Sequence, residues 1–269
     1  MFWKKHKWKI IVPVCLLALL AFAFWYGGDA PGLQGWKVEK PTATAAPMEA
    51  PGSALDERPG GAEGTLTVEE KLAAAAEMAG DQPHEQGDTE YSAQQGMQLD
   101  PTTGKDKYGT SAVPEGKPVP VEPEDAEITD VEHSCTISIS CATILDNMSW
   151  LDPEKVELVP EDGWILKPIV VTFYEGESVF NVLLRTCKQQ GIHMEFVNTP
   201  MYNSAYIEGI HNLYEFDCGQ LSGWIYKVNG WSPNYGCSRY ALQDGDVIEW
   251  QYTCNLGIDI DAYYAVGGK

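Results

Sequence analysis

"VTFYEGESVFNVLLRTCKQQG" (residues 171–191) holds the change of rhythm that decides the fold. Its first residues end an extended run and its later ones make a helix. Ser178 is a good N-cap, Val179, Val182, Leu183, Thr186 and Cys187 recur at helical spacing, and Gly191 suits the left-handed residue that closes a helix. That stripe places Cys187 on the buried face.

Upstream, "WILKPIVVTFY" (164–174) reads as one or two strands, with Pro168 marking an edge or a break. "CTISISCATIL" (135–145) alternates: Cys135, Ile137, Ile139 and Cys141 face one side, Thr136, Ser138 and Ser140 the other, as in a half-buried strand. Downstream, "IHMEFVN" (192–198) and "AYIEGIHNLYEF" (205–216) read as strands. "GWIYKVNGWS" (223–232) reads as a tight hairpin turning at Asn229-Gly230, the preferred type I′ pair. "YALQDGDVIEWQYTC" (240–254) gives a turn at 244–246, then a strand with Ile248, Trp250, Tyr252 and Cys254 on one face. The order is strand, strand, helix, strand, hairpin, strand. It predicts an α+β domain over residues 134–269, one helix packed on a mixed sheet.

The opening run, followed by "LSGWIYKVNGWSPNYGCSRYALQDGDVIEWQYT" (221–253), resembles the C-terminal domain of the transcobalamin and intrinsic-factor carriers and its bacterial relatives of uncharacterised function, the DUF4430-like domains. The resemblance covers residues 171–253 and rests on the strand–helix opening, the aromatic strand at Gly223-Trp224 and the closing L-x-D-G-D-x-I-x-W of residues 242–250. It implies a β-grasp-like fold of the soluble-ligand-binding type, with cobalamin or a related corrinoid as a candidate ligand. The carriers hold cobalamin against a large helical domain, and nothing upstream here looks like one.

The chain begins MFWKKHKWK, four lysines and no acid, before the apolar run of residues 10–26. Seventeen residues fit the short end of a membrane span, where roughly 17–25 are needed, and the lysines belong on the cytoplasmic side. Residues 1–9 are read as a cytoplasmic start and 10–26 as a transmembrane signal anchor; Ala21-Phe22-Ala23 leaves open a cleaved signal peptide and secretion. Either way the rest is expected outside the cell membrane. Residues 27–133 carry 22 acids against 7 bases and are rich in Pro, Gly and Ala, which predicts a disordered acidic linker. Its exception is a short helix at 68–79, headed by a Thr67/Glu70 capping box. A net charge of −21 excludes nucleic acid as a partner and leaves the membrane engaged only through residues 10–26.

Export makes Cys135, Cys141, Cys187, Cys218, Cys237 and Cys254 disulfide candidates, with the pairing open. Cys135 and Cys141 lie about 20 Å apart along a strand, beyond bonding reach. A bridge from Cys187 to either of them would staple helix to sheet, with the partner open, and a Cys218–Cys237 bridge needs a bulge or loop to even its arms. No CxxC pair occurs, His193 and His211 stand alone, and Asp-Gly-Asp lacks the calcium-loop spacing, so no metal site is expected. Nor is an enzyme. G-x-S-x-G and HExxH are absent, Cys187 sits on an apolar stripe, and Glu175, Glu177, Asp244 and Asp246 stand at element ends where caps and turns use carboxylates.

Trp224, Tyr226 and Val228 belong to the core by their alternation. Trp231, Tyr235, Tyr202 and Tyr206 fall in or beside Pro-, Asn- and Ser-rich loops and are the candidate ligand-binding residues. The function read from all this is a membrane-anchored, surface-displayed module binding a soluble small molecule, with a corrinoid among the candidates. The alternative is an adhesion or assembly module that holds a protein or glycan.

Overall fold

Apolar faces read from the sequence close on one another through two sheets. The computed structural model describes residues 58–59, 66–79 and 86–263. In chain order it has α1 (Val68–Ala79), α2 (Thr89–Gln94), β1 (Glu132–Ser140), α3 (Ala142–Leu145), β2 (Trp164–Tyr174) and α4 (Val179–Gln190), then β3 (Met194–Thr199), β4 (Ser204–Ile210), β5 (Leu213–Tyr214), β6 (Gly223–Val228) and β7 (Val247–Thr253). The anchor expected at 10–26 lies outside the described residues. Among those described, no helix is long and apolar enough to cross a membrane.

β2, β1, β7 and β6 form one mixed sheet in that order, with β1 antiparallel to β2 and parallel to β7. The single sheet expected from sequence is in fact two, because β3, β4 and β5 pair antiparallel with one another in a second sheet. Ser178 and Asn181 head α4 with reciprocal side-chain-to-backbone bonds of 3.3 and 2.9 Å, and Gly191 closes it at φ 67°. The helix buries Val179, Val182, Leu183, Thr186 and Cys187 against Ile137, Ile139, Phe173, Ile207, Ile210, Ile248 and Trp250. A second cluster holds Cys141, Ile144, Leu151, Leu213, Cys218, Tyr252 and Cys254.

Local chemistry explains where the structure departs from expectation. β2 is one continuous edge strand: its ladder slips between Ile137↔Ile169 and Ile139↔Leu166, so Pro168 sits in the irregularity, where a missing N–H costs no rung. Asn229 and Gly230 make the expected turn at φ 54° and 76°, but the return arm yields a single bridge, Val228↔Trp231, and Pro233 follows. β6 takes β7 as its ladder partner instead. The run 205–216 breaks at His211 and Asn212, both at positive φ, into β4 and β5. Cys141 leaves the strand to head α3 and joins the second cluster, so a Cys187–Cys141 staple is ruled out by placement.

The largest departure lies before β1. α1 forms as expected, with Thr67 and Glu70 bonded reciprocally. Residues 86–131, expected within the disordered linker, pack on the domain. Val113 is fully buried in the main core, and Ser92 Oγ accepts its N–H at 3.0 Å. Arg239, 1% exposed, holds Asp106 at 2.6 Å and Glu122 at 2.8 Å, donates to Thr110 Oγ1 at 2.7 Å and lies 5.0 Å from the centre of the Tyr108 ring. Averaged over 27–133, composition hides this, because two of the acids are neutralised by a cation more than a hundred residues downstream.

Arg239→Met keeps the apolar stem but strands both carboxylates. Removing one partner of a buried ion pair costs about 3–5 kcal/mol. Denaturant unfolding of the full chain should show a midpoint lowered to that extent; an unchanged midpoint contradicts the clamp. Burial works against the charge of Glu177, but two bonds from Arg185 and the Tyr174 N–H outweigh it and hold the carboxyl below its ordinary 4.5. The stabilisation is therefore present above pH 4.5 and lost as pH falls through the lower folded value. Glu177→Gln should be less stable than wild type at pH 7, with the gap closing below pH 4.

Candidate functional site

Four stretches remote in sequence meet around a groove of about 450 Å³. Ser178, Phe180 and Asn181 come from the head of α4. Asn198, Thr199, Pro200, Asn203, Ser204 and Ala205 come from the β3–β4 hairpin, and Pro123, Ala126 and Ile128 from the segment before β1. Ser238 closes the far side. Each wall is positioned for a physical reason. The capping box fixes Ser178 and Asn181. Phe180 packs edge-on against Phe196 of β3 at 4.8 Å, tying helix to hairpin. Ser204 Oγ accepts the Ser238 N–H at 3.1 Å while Ser238 Oγ accepts the Ala205 N–H at 3.0 Å, a pair of bonds that joins β4 to the turn carrying Arg239.

The lip toward residues 123–128 depends on Asn203, at φ 49°, a conformation Asn tolerates better than most residues. Its amide donates to Glu122 at 2.6 Å and to Glu124 at 2.8 Å. Asn203 holds the Glu124 carboxyl below its usual range, so the acid is ionised and fastened outside the groove. Gly176, at φ 89°, lets the chain pass the same edge: a Cβ there would lie 2.2 Å from the Glu127 carbonyl oxygen. Among the described residues no Lys, Arg, Asp or Glu lines the cavity itself. Its lining mixes hydroxyls and amides with Phe180, Pro123, Pro200 and Ile128; Ser178, Ser204 and Ala205 are buried, and Ile128 stands exposed at the edge, which suits a neutral ligand with both polar and apolar faces.

The four aromatic residues singled out by sequence fall into two settings. Tyr202 and Tyr206 lie on the β3–β4 hairpin, 57% and 49% exposed, beside the groove and not in its wall. Tyr206 donates to Glu215 and stands opposite the exposed Val197. Tyr235, in contrast, is buried in the main core; its hydroxyl donates to the Pro118 carbonyl at 2.7 Å and its ring stacks on Tyr240 at 6.2 Å. Trp231 packs edge-on against it at 6.1 Å and borders a smaller cavity with Gly116, Pro118 and Asn229. The segment before β1 thus covers Tyr235, expected to be open, while Trp231 stays half-buried at the edge of that cavity. The groove residues missed from sequence are Asn198 at the end of β3, Asn203 in the hairpin loop and Ser238 in the short helical turn at 237–239; only the first two fall in an Asn-rich stretch.

The six cysteines of the domain are buried free thiols. Burial pushes the Cys187 thiol up to about 11 and those of Cys135, Cys141 and Cys237 up to about 12, the opposite of an activated nucleophile. Cys218 and Cys237 sit in different clusters, which removes the bridge considered across the 218–237 stretch. Asp246, in the Asp-Gly-Asp turn, is spent on the Gln243 N–H at 2.9 Å and the Asn229 amide at 2.7 Å. Among the described residues no three His, Cys, Asp or Glu side chains gather as metal ligands.

Residues 176–254 match the family described as "Domain of unknown function (DUF4430)". This DUF4430 segment begins just before α4 and ends just after β7, so it contains the helix, hairpin and Ser238 walls of the groove, while residues 123–128 lie upstream of it. A comparison with curated proteins finds no match. Among solved structures, haptocorrin in complex with Cbi is similar at 16% identity and a TM-score of 0.33 over 46% of this chain, which spans 26% of the haptocorrin chain. A Ruminococcus gnavus protein provisionally described as metal binding is similar at 12% identity and a TM-score of 0.29 over 45% of this chain and 96% of its own.

Asn203→Ala should release residues 122–128 while leaving the sheets intact. Hydrogen exchange is the check: protection should fall at Thr129 and in the preceding segment, with β1 and β7 unchanged. Equal protection in both proteins would show that Asn203 does not hold this lip.

Proposed function

We propose that the DUF4430 domain and the segment before β1 form a β-grasp-like binding module for a neutral soluble small molecule, seated in the groove between α4 and the β3–β4 hairpin. One observation carries the reading: a concavity lined by neutral hydrogen-bonding groups and apolar side chains, with no charged side chain among its lining residues. On this reading the module binds its ligand and does not transform it. Residues 10–26 anchor it in the cell membrane with residues 27–269 outside, or release it if the segment is cleaved, and oxidation outside gives it disulfides. A corrinoid is the first ligand to test, on the sequence resemblance to the transcobalamin carriers. At about 450 Å³ the groove covers only part of a corrin macrocycle, so binding by this chain alone is weak.

A second reading is favoured by a different observation. Met201, Tyr202, Tyr206 and Val197 are 72%, 57%, 49% and 46% exposed on one hairpin, an apolar tip suited to a protein or glycan in an adhesion or assembly module.

The full chain in detergent micelles should be titrated with cobalamin and cobinamide, following corrin absorbance and heat. Saturable binding is expected, weakened by about tenfold or more when Asn198→Trp fills the groove and changed by less than about threefold in Tyr202→Ser/Tyr206→Ser. Silence at near-millimolar ligand contradicts the corrinoid. Saturable glycan binding lost in the double tyrosine variant would move the function to the hairpin tip.

A further inference from the structure

We infer that Cys218 and Cys254 are joined by a disulfide that closes the second core cluster of the exported protein. This rests on the proposed export and names a pair that sequence alone leaves open. Cys218 lies on the turn after β5, where its N–H donates to Ser222 Oγ at 3.1 Å. Cys254 follows the last residue of β7, and its N–H donates to Asp259 Oδ2 at 2.8 Å. Both side chains are fully buried and share the second core cluster.

The backbone on either side is already fixed. Gly223 pairs with Thr253, the Leu256 N–H donates to the Leu221 carbonyl at 2.6 Å, and the Tyr252 hydroxyl meets Ser222 Oγ at 3.0 Å and the Tyr214 carbonyl at 2.7 Å. These bonds hold the loop of Cys218 against the end of β7 whether or not sulfur joins them. Cys141 shares the cluster and is the competitor: the Cys254 thiol also lies 3.9 Å from Thr143 Oγ1, two residues beyond it, but among the described residues no backbone bond ties the Cys141 turn to the residues around Cys254 as Leu221 and Gly223 tie the Cys218 loop.

The oxidant is a partner disulfide of the dithiol–disulfide exchange class. One cysteine thiolate attacks it, forming a mixed disulfide and expelling one thiolate. The second cysteine, after losing its proton, attacks the protein sulfur of the mixed disulfide and expels the other. Two protons and two electrons leave the protein, and the partner becomes a dithiol. Buried, poorly ionised thiols exchange slowly, so the bond forms while the chain folds and not after the cluster has closed.

The reduced, unfolded full chain should be refolded in detergent micelles with oxidised and reduced glutathione, then digested without reduction and mapped by mass. A linked Cys218–Cys254 peptide is expected, with thermal unfolding roughly 10 °C above that of the reduced protein. That gain should be absent in Cys218→Ser, Cys254→Ser and the double variant alike. Two freely alkylated thiols after oxidative refolding, or a Cys141–Cys254 peptide, overturns the pairing. A chain that pairs in glutathione yet is isolated from cells with both thiols free overturns the proposed export and leaves the pairing standing.

Discussion

Parallel pairing of β1 with β7 is the constraint on which the structure depends. Thr136 to Ser140 run beside Val247 to Gln251 in the middle of the four-stranded sheet, with β2 and β6 outside them. Parallel neighbours cannot be joined by a tight turn, so the chain between them must leave the sheet, cross over and return. α4, the second sheet and the turn at Asn229-Gly230 all belong to that excursion. Its apolar faces return to one core because Ile137 and Ile139 on β1 meet Ile248 and Trp250 on β7. The groove is a product of the same detour: helix head and hairpin face each other where the excursion folds back.

A strongly acidic chain has to place its carboxylates with care when it packs a segment across such a core. Arg239 takes Asp106 and Glu122 in a nearly water-free setting, and the Asn203 amide takes Glu122 and Glu124 at the rim. Glu122 is shared between the two, so the clamp and the lip of the groove are one network. Desolvating these groups singly would be costly; held together, each carboxylate keeps donors on its charge. The result is a cavity wall free of charge in a protein of net charge −21.

Much of the DUF4430 core was legible because local chemistry and global packing agree there. Ser178, the stripe to Cys187 and Gly191 specify α4 without help, and the alternation of Ile248, Trp250 and Tyr252 specifies β7. The errors share a cause. The hairpin at Asn229-Gly230 has the expected turn, but its return arm carries Pro233 and loses to β7, which pairs with β6 from Ile248 to Thr253 without a break. His211 and Asn212 turn the chain at positive φ with no glycine to announce it. Residues 86–131 look unfolded by composition because their partners, Arg239, Tyr235 and Asn203, are far downstream. For the same reason Tyr235 looked available although it is buried, whereas Trp231 is half-buried and Tyr202 and Tyr206 are on the surface. The groove itself was invisible, since neutral Asn and Ser residues carry no sequence signature of the company they keep.

The most direct test of the central claim is amide-resolved NMR of the full chain in micelles during titration with cobinamide. The account predicts saturable shifts confined to residues 123–128, 178–181, 198–205 and 238, the four stretches that wall the groove. Shifts centred on residues 228–235, or on the outer face of the hairpin at Val197 and Tyr206 with the α4 head unchanged, would contradict it.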